Sequence, residues 1–265
     1  MNQNLPDNAA LDRELLLAMR VADAADAVSL VGFTSRGFSV MRKADMSEVT
    51  EIDRATETAI TDVLRAERPE HSVYGEEHGI VGPADARFQW VIDPIDGTSN
   101  FVRGVPVWAS LIALVYDNVP VLGVVSAPAM RMRWWAHAAG DAFFNGDKIR
   151  VSEIAELRRA SLSITVNKYW HDVDPDGLLE KLQRSVSRVR GYGDFWQHML
   201  VAQGAVDVAI DSSGLAPYDI AALVPIVQQA GGMCTDRLGE TNWRANSLVT
   251  SNSLLHTATL AHLPK

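Results

Sequence analysis

Cysteine is almost absent from this chain. The single Cys234 leaves no partner for an internal disulfide and no thiolate set for a metal cluster, a pattern that suits a reducing cytoplasm. Its setting, Gly-Gly-Met-Cys-Thr, reads as a small buried strand residue and not as a catalytic thiol. Long apolar runs are missing too: none approaches the roughly 20 residues needed to cross a bilayer. The opening MNQNLPDNAA has neither a basic start nor an apolar centre, so no secretion signal is expected. Positive charge is in deficit, with 24 Lys and Arg against 33 Asp and Glu and a net charge of −9, which disfavours a nucleic-acid partner. The seven histidines lack the H-E-x-x-H spacing of a zinc protease site. There are no repeats and no low-complexity linkers. The expectation is a soluble, compact, cytoplasmic protein with no membrane partner.

What is present is ample core: 265 residues with 47% hydrophobic content. Helical spacing runs from Asn8 to about Val31, through Leu11, Leu15, Met19, Ala22 and Ala25, with Gly32 and Gly37 as breaks. A second periodic segment carries Ile52, Ala55, Thr56, Ala59, Ile60, Val63 and Leu64 and stops at Pro69. Residues 88–92 read as a buried strand, and VWASLIALVY and VPVLGVVSAP as a hairpin turning at Asp117-Asn118. Beyond lie a strand at 161–166, helices at 177–186 and 195–204, a strand at 206–210 and a helix over 218–230 closed by Gly231-Gly232. The pattern predicts a mixed α/β (α+β) fold with helices packed on sheets in more than one layer. A soft boundary near 150–160 separates an N-terminal half, 1–155, from a C-terminal half, 156–265; candidate site residues in both argue against independent domains.

The chemistry concentrates in WVIDPIDGTSNF, residues 90–101. An apolar run ends at Asp93, and Pro94 cannot continue a central ladder, so the chain is expected to turn out of the sheet there. The carboxylates of Asp93 and Asp96 and the Ile95 carbonyl can then converge. Buried carboxylates repel one another unless neutralised, and three hard oxygens suit Mg²⁺. The backbone N–H groups of Gly97, Thr98 and Ser99 can open a helix and cradle an anion. Metal-binding oxygens beside an anion cradle suggest metal-assisted phosphate chemistry. Taken alone, D-G-T-S is an ordinary turn with Asp93 as a cap.

Three further features bear on that choice. YGEEH at 74–78 offers Glu76 as another hard oxygen, or a solvated loop charge. KADMSEVTEID at 43–53 ends in Asp53, which either favours a positive helix start or orients a nucleophilic water with Thr98. PYDIAA at 217–222 places Asp219 at the head of a helix, where capping is again the simpler role. DVDPDG at 172–177 imitates a calcium loop, but its twelfth position is Gln183 instead of a bidentate glutamate and a proline interrupts the ligands. Trp134-Trp135 reads as packing or interface.

Together G-E-E at 75–77, W-V-I-D-P-I-D-G-T-S-N-F at 90–101 and Y-D-I-A-A at 218–222 resemble the inositol monophosphatase-like family of magnesium-dependent, lithium-sensitive sugar-phosphate phosphatases. The resemblance covers nearly the whole chain. It implies a layered αβαβα sandwich, a homodimer, and two or three Mg²⁺ per active site held by Glu76, Asp93, the Ile95 carbonyl, Asp96 and Asp219. It also implies that Thr98 and Asp53 position and deprotonate a water, so that Asp53, Glu76 and Thr98 form the catalytic set. The backbone of Gly97, Thr98 and Ser99 would hold the phosphate of a small phosphorylated substrate. Two cations can stabilise both the entering and the leaving oxygen of an in-line displacement.

The leaving-group side departs from the inositol-selective pattern. GYGDFWQH (191–198) stands where those enzymes carry G-S-A-A, and PYD where they carry W-D. GDFWQHMLVAQGAVDVAID with PYDIAALVPIVQQAGG is similar to the histidinol-phosphate phosphatase branch. That branch implies that Asp194 and Asp211 pair with cationic groups of the substrate, that Phe195, Trp196 or Tyr218 stacks on its ring, and that Asp96 borders it. A helix cap at Asp194 with core aromatics beside it is the bland alternative. A broader inositol- or nucleotide-phosphate phosphatase, or a catalytically silent metal-binding regulatory protein, are the other readings.

Overall fold

The computed structural model describes residues 5–43, 47–165, 170, 174, 176–211 and 214–264. Val166, expected to end a strand, lies outside them, as do Asp172, Val173 and Pro175 of DVDPDG and Ala44, Asp45 and Met46 of KADMSEVTEID. Helix α1 (Asn8–Ser35) is capped by Asp7, whose carboxylate accepts the Ala10 N–H at 2.7 Å. It runs through Gly32 instead of breaking there, and the glycine answers a need for space: a Cβ at that position would lie 2.7 Å from Ile52 Cγ2. The glycine marks close packing against the start of α2 (Glu51–Glu67). Strands β1 (Val40–Arg42) and β2 (Glu48–Thr50) form a short antiparallel hairpin between the two helices.

The large sheet contains β3 (Ser72–Gly75), β4 (Gly79–Val81), β5 (Phe88–Asp96), β6 (Ala109–Tyr116), β7 (Val119–Ala127), β8 (Met132–His137), β9 (Phe143–Phe144) and β10 (Asp147–Lys148), in the order β10-β9-β8-β7-β6-β5-β3-β4. All its pairings are antiparallel except β3 with β5. The β6–β7 turn is the expected Asp117-Asn118, both at positive φ (46° and 67°), as a two-residue hairpin whose twist matches its strands requires. A short helix α3 (Thr98–Arg103) leaves the end of β5.

The second sheet has the order β12-β11-β13-β15-β14, from β11 (Ser161–Thr165), β12 (Arg188–Arg190), β13 (Val208–Asp211), β14 (Gly232–Thr235) and β15 (Leu248–Asn252). Its helices are α4 (Leu178–Ser185), α5 (Asp194–Ala202), α6 (Pro217–Ile220), α7 (Leu223–Gln229) and α8 (His256–Leu260). The single helix expected over 218–230 is thus two, α6 and α7, with the junction at Ala221-Ala222 set against β7: a Cβ on Gly123 would lie 2.0 Å from the Ala222 carbonyl oxygen. Asp174 of the calcium-like stretch caps α4, accepting the N–H groups of Leu178 and Leu179 at 2.8 Å each.

Side-chain alternation sorts these elements into layers. Trp90 and Ile92 of β5 face α1 and α2, together with Leu17, Val21, Ile60 and Leu64. Val91 faces the other way, into a core shared with Phe195, Met199, Ile220 and Ile226. The second sheet meets those helices through Ala209 and Cys234, while Val208, Ile210 and Val249 pack on its far side with Leu179 and Leu182. The result is the five-layer αβαβα sandwich expected. Among the described residues no helix is long and apolar enough to cross a membrane.

Candidate active site

The strand that delivers the two aspartates does not stop at Asp93. β5 continues to Asp96, with its register against β6 shifted between Asp93 and Asp96. Pro94, which has no N–H for the ladder, sits in that irregularity, and its carbonyl accepts from the Ser110 hydroxyl at 2.7 Å. The departure from the expected turn has a consequence. A bulge puts an extra residue on one side of the ladder, so both carboxylates remain at one sheet end. Asp93 Oδ1 accepts the Ile95 N–H at 3.0 Å, which fixes the first carboxylate against the bulge.

Asp219 arrives from the other half of the chain at the third position of α6. Its Oδ2 accepts the Ala216 N–H at 2.6 Å, so the expected capping role is present. Capping does not exhaust the side chain. One oxygen from each of Asp93, Asp96 and Asp219 lies within 4.8 Å of the others. Burial, then the charges of Glu76, Asp96 and Asp219, hold the Asp93 carboxyl well above its ordinary range. Burial, then Asp194 and Asp219, do the same to Asp96, and burial raises Asp219. Protons or a cation must neutralise such a cluster. Hard carboxylate oxygens without a thiolate or imidazole among them fit Mg²⁺ in preference to softer metals.

Asp53 shows the same division of labour. Its Oδ2 accepts the Thr50 N–H at 2.9 Å and the Thr50 hydroxyl at 2.6 Å, closing a capping box at the start of α2. Its Oδ1 lies 3.0 Å from Thr98 Oγ1, which is also 3.0 Å from the Ile95 carbonyl oxygen. Helix cap and partner of Thr98 are therefore one side chain, and the two expected roles are compatible. Thr98 opens α3, whose first intrahelical donors are Asn100 and Phe101, both to the Gly97 carbonyl. The earlier N–H groups of the turn are those a phosphate can use. Gly97 has φ 86°, and a Cβ there would lie 3.0 Å from the Val107 carbonyl and 3.2 Å from Asp194 Oδ2, so glycine is required twice over. Ser99 turns its hydroxyl to Glu48 Oε2 at 2.7 Å, where Arg103 also binds, leaving its backbone for the cradle.

Glu76 follows β3 directly. Lys43 reaches it from the end of the β1–β2 hairpin: Nζ stands 2.7 Å from Glu76 Oε1 and 2.5 Å from Glu77 Oε1. An acidic site that draws in the ammonium of a lysine is one that accepts cations. Burial raises the Glu76 carboxyl despite this lysine, with Glu77 and Asp219 adding to the shift.

A cleft adjoins the aspartates, lined by Asp96, Asp194, Phe195, His198, Asp211, Leu215, Asp219 and Leu223. Asp194 also borders a second opening with Glu76, Gly97, Thr98 and Ser99, so it stands between the cradle and the cleft. It has φ 47° and accepts from Asn100 Nδ2 at 2.9 Å. Asp211 is buried, and its Oδ2 accepts from Gln197 Nε2 at 3.0 Å. The expected aromatic platform is different. The Phe195 ring lies in the core, edge-on to Trp134 at 6.1 Å, and its contribution at the site is a backbone N–H to Asp96 Oδ2 at 2.7 Å. Trp196 packs edge-on to Tyr192, and Tyr218 edge-on to Tyr74, outside the lining of the cleft. α5 explains this: its apolar face must cover the sheets, which commits Phe195 inward.

The sequence thus brings together Asp53, Glu76, Asp93, Ile95, Asp96, Thr98 and Asp219, with Asp194 and Asp211 on the neighbouring wall. The roles of Lys43, Glu57, Asn100, Gln197 and His198 went unread. Only Glu57 carried a legible signal, four residues beyond Asp53 on one face of a strongly periodic helix.

The inositol monophosphatase family profile matches residues 12–265. A histidinol-phosphatase of Mycobacterium tuberculosis is 44% identical over 94% of this chain and 97% of its own length. One from Streptomyces coelicolor is 42% identical over 94% and 96%. Among solved structures, an IMPase of Thermotoga maritima superposes with a TM-score of 0.85 at 32% identity, covering 94% of this chain and 96% of that one. Fold, acidic cluster and sequence agree, and the chain belongs to the inositol monophosphatase family.

Proposed function

We propose that this protein hydrolyses histidinol phosphate to histidinol and phosphate, with two or three Mg²⁺ in the site. The observation that carries the substrate choice is the cleft wall: Asp194 and Asp211 add two carboxylates beside Asp96 and Asp219, a lining suited to a leaving alcohol that carries an amine and an imidazole. The similarity to histidinol-phosphatases supports it. Glu76, Asp93, the Ile95 carbonyl, Asp96 and Asp219 would hold the metal. Bound Mg²⁺ supplies Lewis-acid stabilisation of charge on the transferring phosphoryl group.

The chain's own residues do the rest. N–H groups at Gly97, Thr98 and Ser99 bind the phosphate and orient it. Thr98 Oγ1 accepts a hydrogen bond from the attacking water while its own proton is directed to Asp53 Oδ1, which aligns the nucleophile and gives its proton a destination. Asp194 and Asp211 fix the leaving group. On the family resemblance, the working form is a cytoplasmic homodimer; light scattering in solution tests the dimer.

The deciding experiment is phosphate release from histidinol phosphate, inositol phosphate and glycerol phosphate, with Mg²⁺ and with chelator. Histidinol phosphate should be preferred, and all activity should stop in chelator. Asp194→Asn should lower kcat/KM for histidinol phosphate about 10- to 150-fold, the worth of one charge-assisted hydrogen bond of about 1.5–3 kcal/mol. It should barely change turnover of glycerol phosphate, which has no cation to lose. Equal losses for both esters would make Asp194 structural.

A further inference from the structure

We propose that Glu57 is a positioning residue that holds the 76–78 loop, and with it the Glu76 carboxylate, at the metal site. The proposal rests on Glu76 being a metal ligand. Glu57 is 1% exposed, in the middle of α2. Its Oε2 accepts the Glu77 N–H at 2.7 Å, and its Oε1 accepts the His78 N–H at 2.9 Å. His78 Nδ1 lies 3.0 Å from the same Oε1. A buried carboxylate is costly unless its oxygens are hydrogen-bonded. Here they accept from two successive backbone donors, in the residues immediately after Glu76. The Glu76 N–H itself bonds to the Ile92 carbonyl at 3.2 Å, tying the other end of the loop to β5. Glu76 therefore sits between two fixed points.

Gly75 records the same arrangement from the other side. A Cβ there would fall 2.0 Å from Glu57 Oε1 and 2.3 Å from its Cδ. Gly75 ends β3 and has no positive φ, so glycine is required by space and not by backbone conformation. The carboxylate occupies the place where a side chain at 75 would be. Asp53 and Glu57 are one helical turn apart and both buried on α2. One rigid helix face thus sets both the Thr98 hydroxyl and the Glu76 loop, so that the water-positioning group and a metal ligand keep a fixed relation.

The test is Mn²⁺ binding to the metal-free full chain, read by the electron paramagnetic resonance of free Mn²⁺, beside thermal melting. Glu57→Ala should weaken binding by about 10- to 100-fold, the range for residues that orient metal ligands. Its Mg²⁺ activation constant should rise in step, with kcat at saturating Mg²⁺ changed far less. Glu57→Gln, which keeps the volume but only one acceptor, should show an intermediate loss and serves if the alanine variant does not fold. Adding Gly75→Ala to Glu57→Ala fills the space and should recover melting temperature without recovering Mn²⁺ affinity. Unchanged Mn²⁺ affinity in a folded Glu57 variant would overturn the proposal, as would affinity regained by Gly75→Ala, since Glu57 would then be packing alone. Glu76→Gln is measured in parallel: if it binds Mn²⁺ normally, the assignment of Glu76 fails and the proposal falls with it. Loss at Glu76 with none at Glu57 would reject the Glu57 role by itself.

Discussion

Asp53 divides its carboxylate between a helix cap and the Thr98 hydroxyl, and that division sets what its neighbour's substitution should do. Thr98→Ala removes the oxygen proposed to align the attacking water but leaves the cap intact, so kcat should fall by about 10²- to 10⁴-fold with KM nearly unchanged. A rise in KM at constant kcat, in steady-state assays, would move Thr98 into substrate binding. Asp96→Asn should lose at least about 10²-fold in kcat, because the substitution alters charge at the site where charge develops. The variant should melt no lower than the parent without metal. The amide oxygen can still accept the Phe195 N–H, and one of several crowded negative charges has gone. Near-normal turnover in folded Asp96→Asn would remove it from the ligand set.

At the scale of elements, the site depends on how closely β7 admits the α6–α7 junction. Gly123 faces the Ala222 carbonyl with no room for a methyl group. Gly123→Ala must push the junction off the sheet. The expected cost is about 1–3 kcal/mol, as for an overpacked core, read as a lower midpoint in urea unfolding. Because α6 carries Asp219, metal affinity should weaken as well. A variant with unchanged midpoint and affinity would show that the junction yields without moving Asp219. The bulge in β5 belongs to the same scale. Period and propensity locate a strand ending in D-P-I-D, but they do not decide whether Pro94 terminates pairing or is absorbed. The Ser110 hydroxyl and the resumed pairing of Asp96 with Ala109 decide it.

Across the whole molecule, buried neutral groups tie stability to pH. His198 is wholly buried, with Nδ1 at 2.8 Å from Thr250 Oγ1, and burial lowers its pKa from 6.5 to about 3. Between those values the unfolded chain binds a proton that the folded chain refuses. This stabilising contribution is complete above pH 6.5 and is lost as pH falls toward 3, at about 1.4 kcal/mol per unit. Replacing the imidazole in His198→Gln should flatten the fall of unfolding free energy between about pH 6.5 and pH 4.5 by about that slope, measured by urea unfolding. An unchanged slope would mean that the folded protein already admits the proton.

The sequence by itself determined the mixed α/β class, the order of the main helices and strands, and the acidic set, because hydrophobic period and the D-P-I-D-G-T spacing are local. Asp93, Asp96 and Thr98 lie within six residues, so their nearness needed no tertiary argument. Glu76 and Asp219 stood out as candidates beside simpler loop-charge and capping roles, and it took the resemblance to a family to join them to the set, since nothing local links positions so far apart. Tertiary structure alone decided the rest. Phe195 turned inward because α5 must cover two sheets, and its N–H went to Asp96 in its place. Lys43 came to Glu76 because a hairpin lies over the sheet end, and Glu57 filled the space beside Gly75 because α2 packs against β3. Each of these is a contact between elements, and its geometry is fixed by the packing of layers that no short stretch of sequence contains.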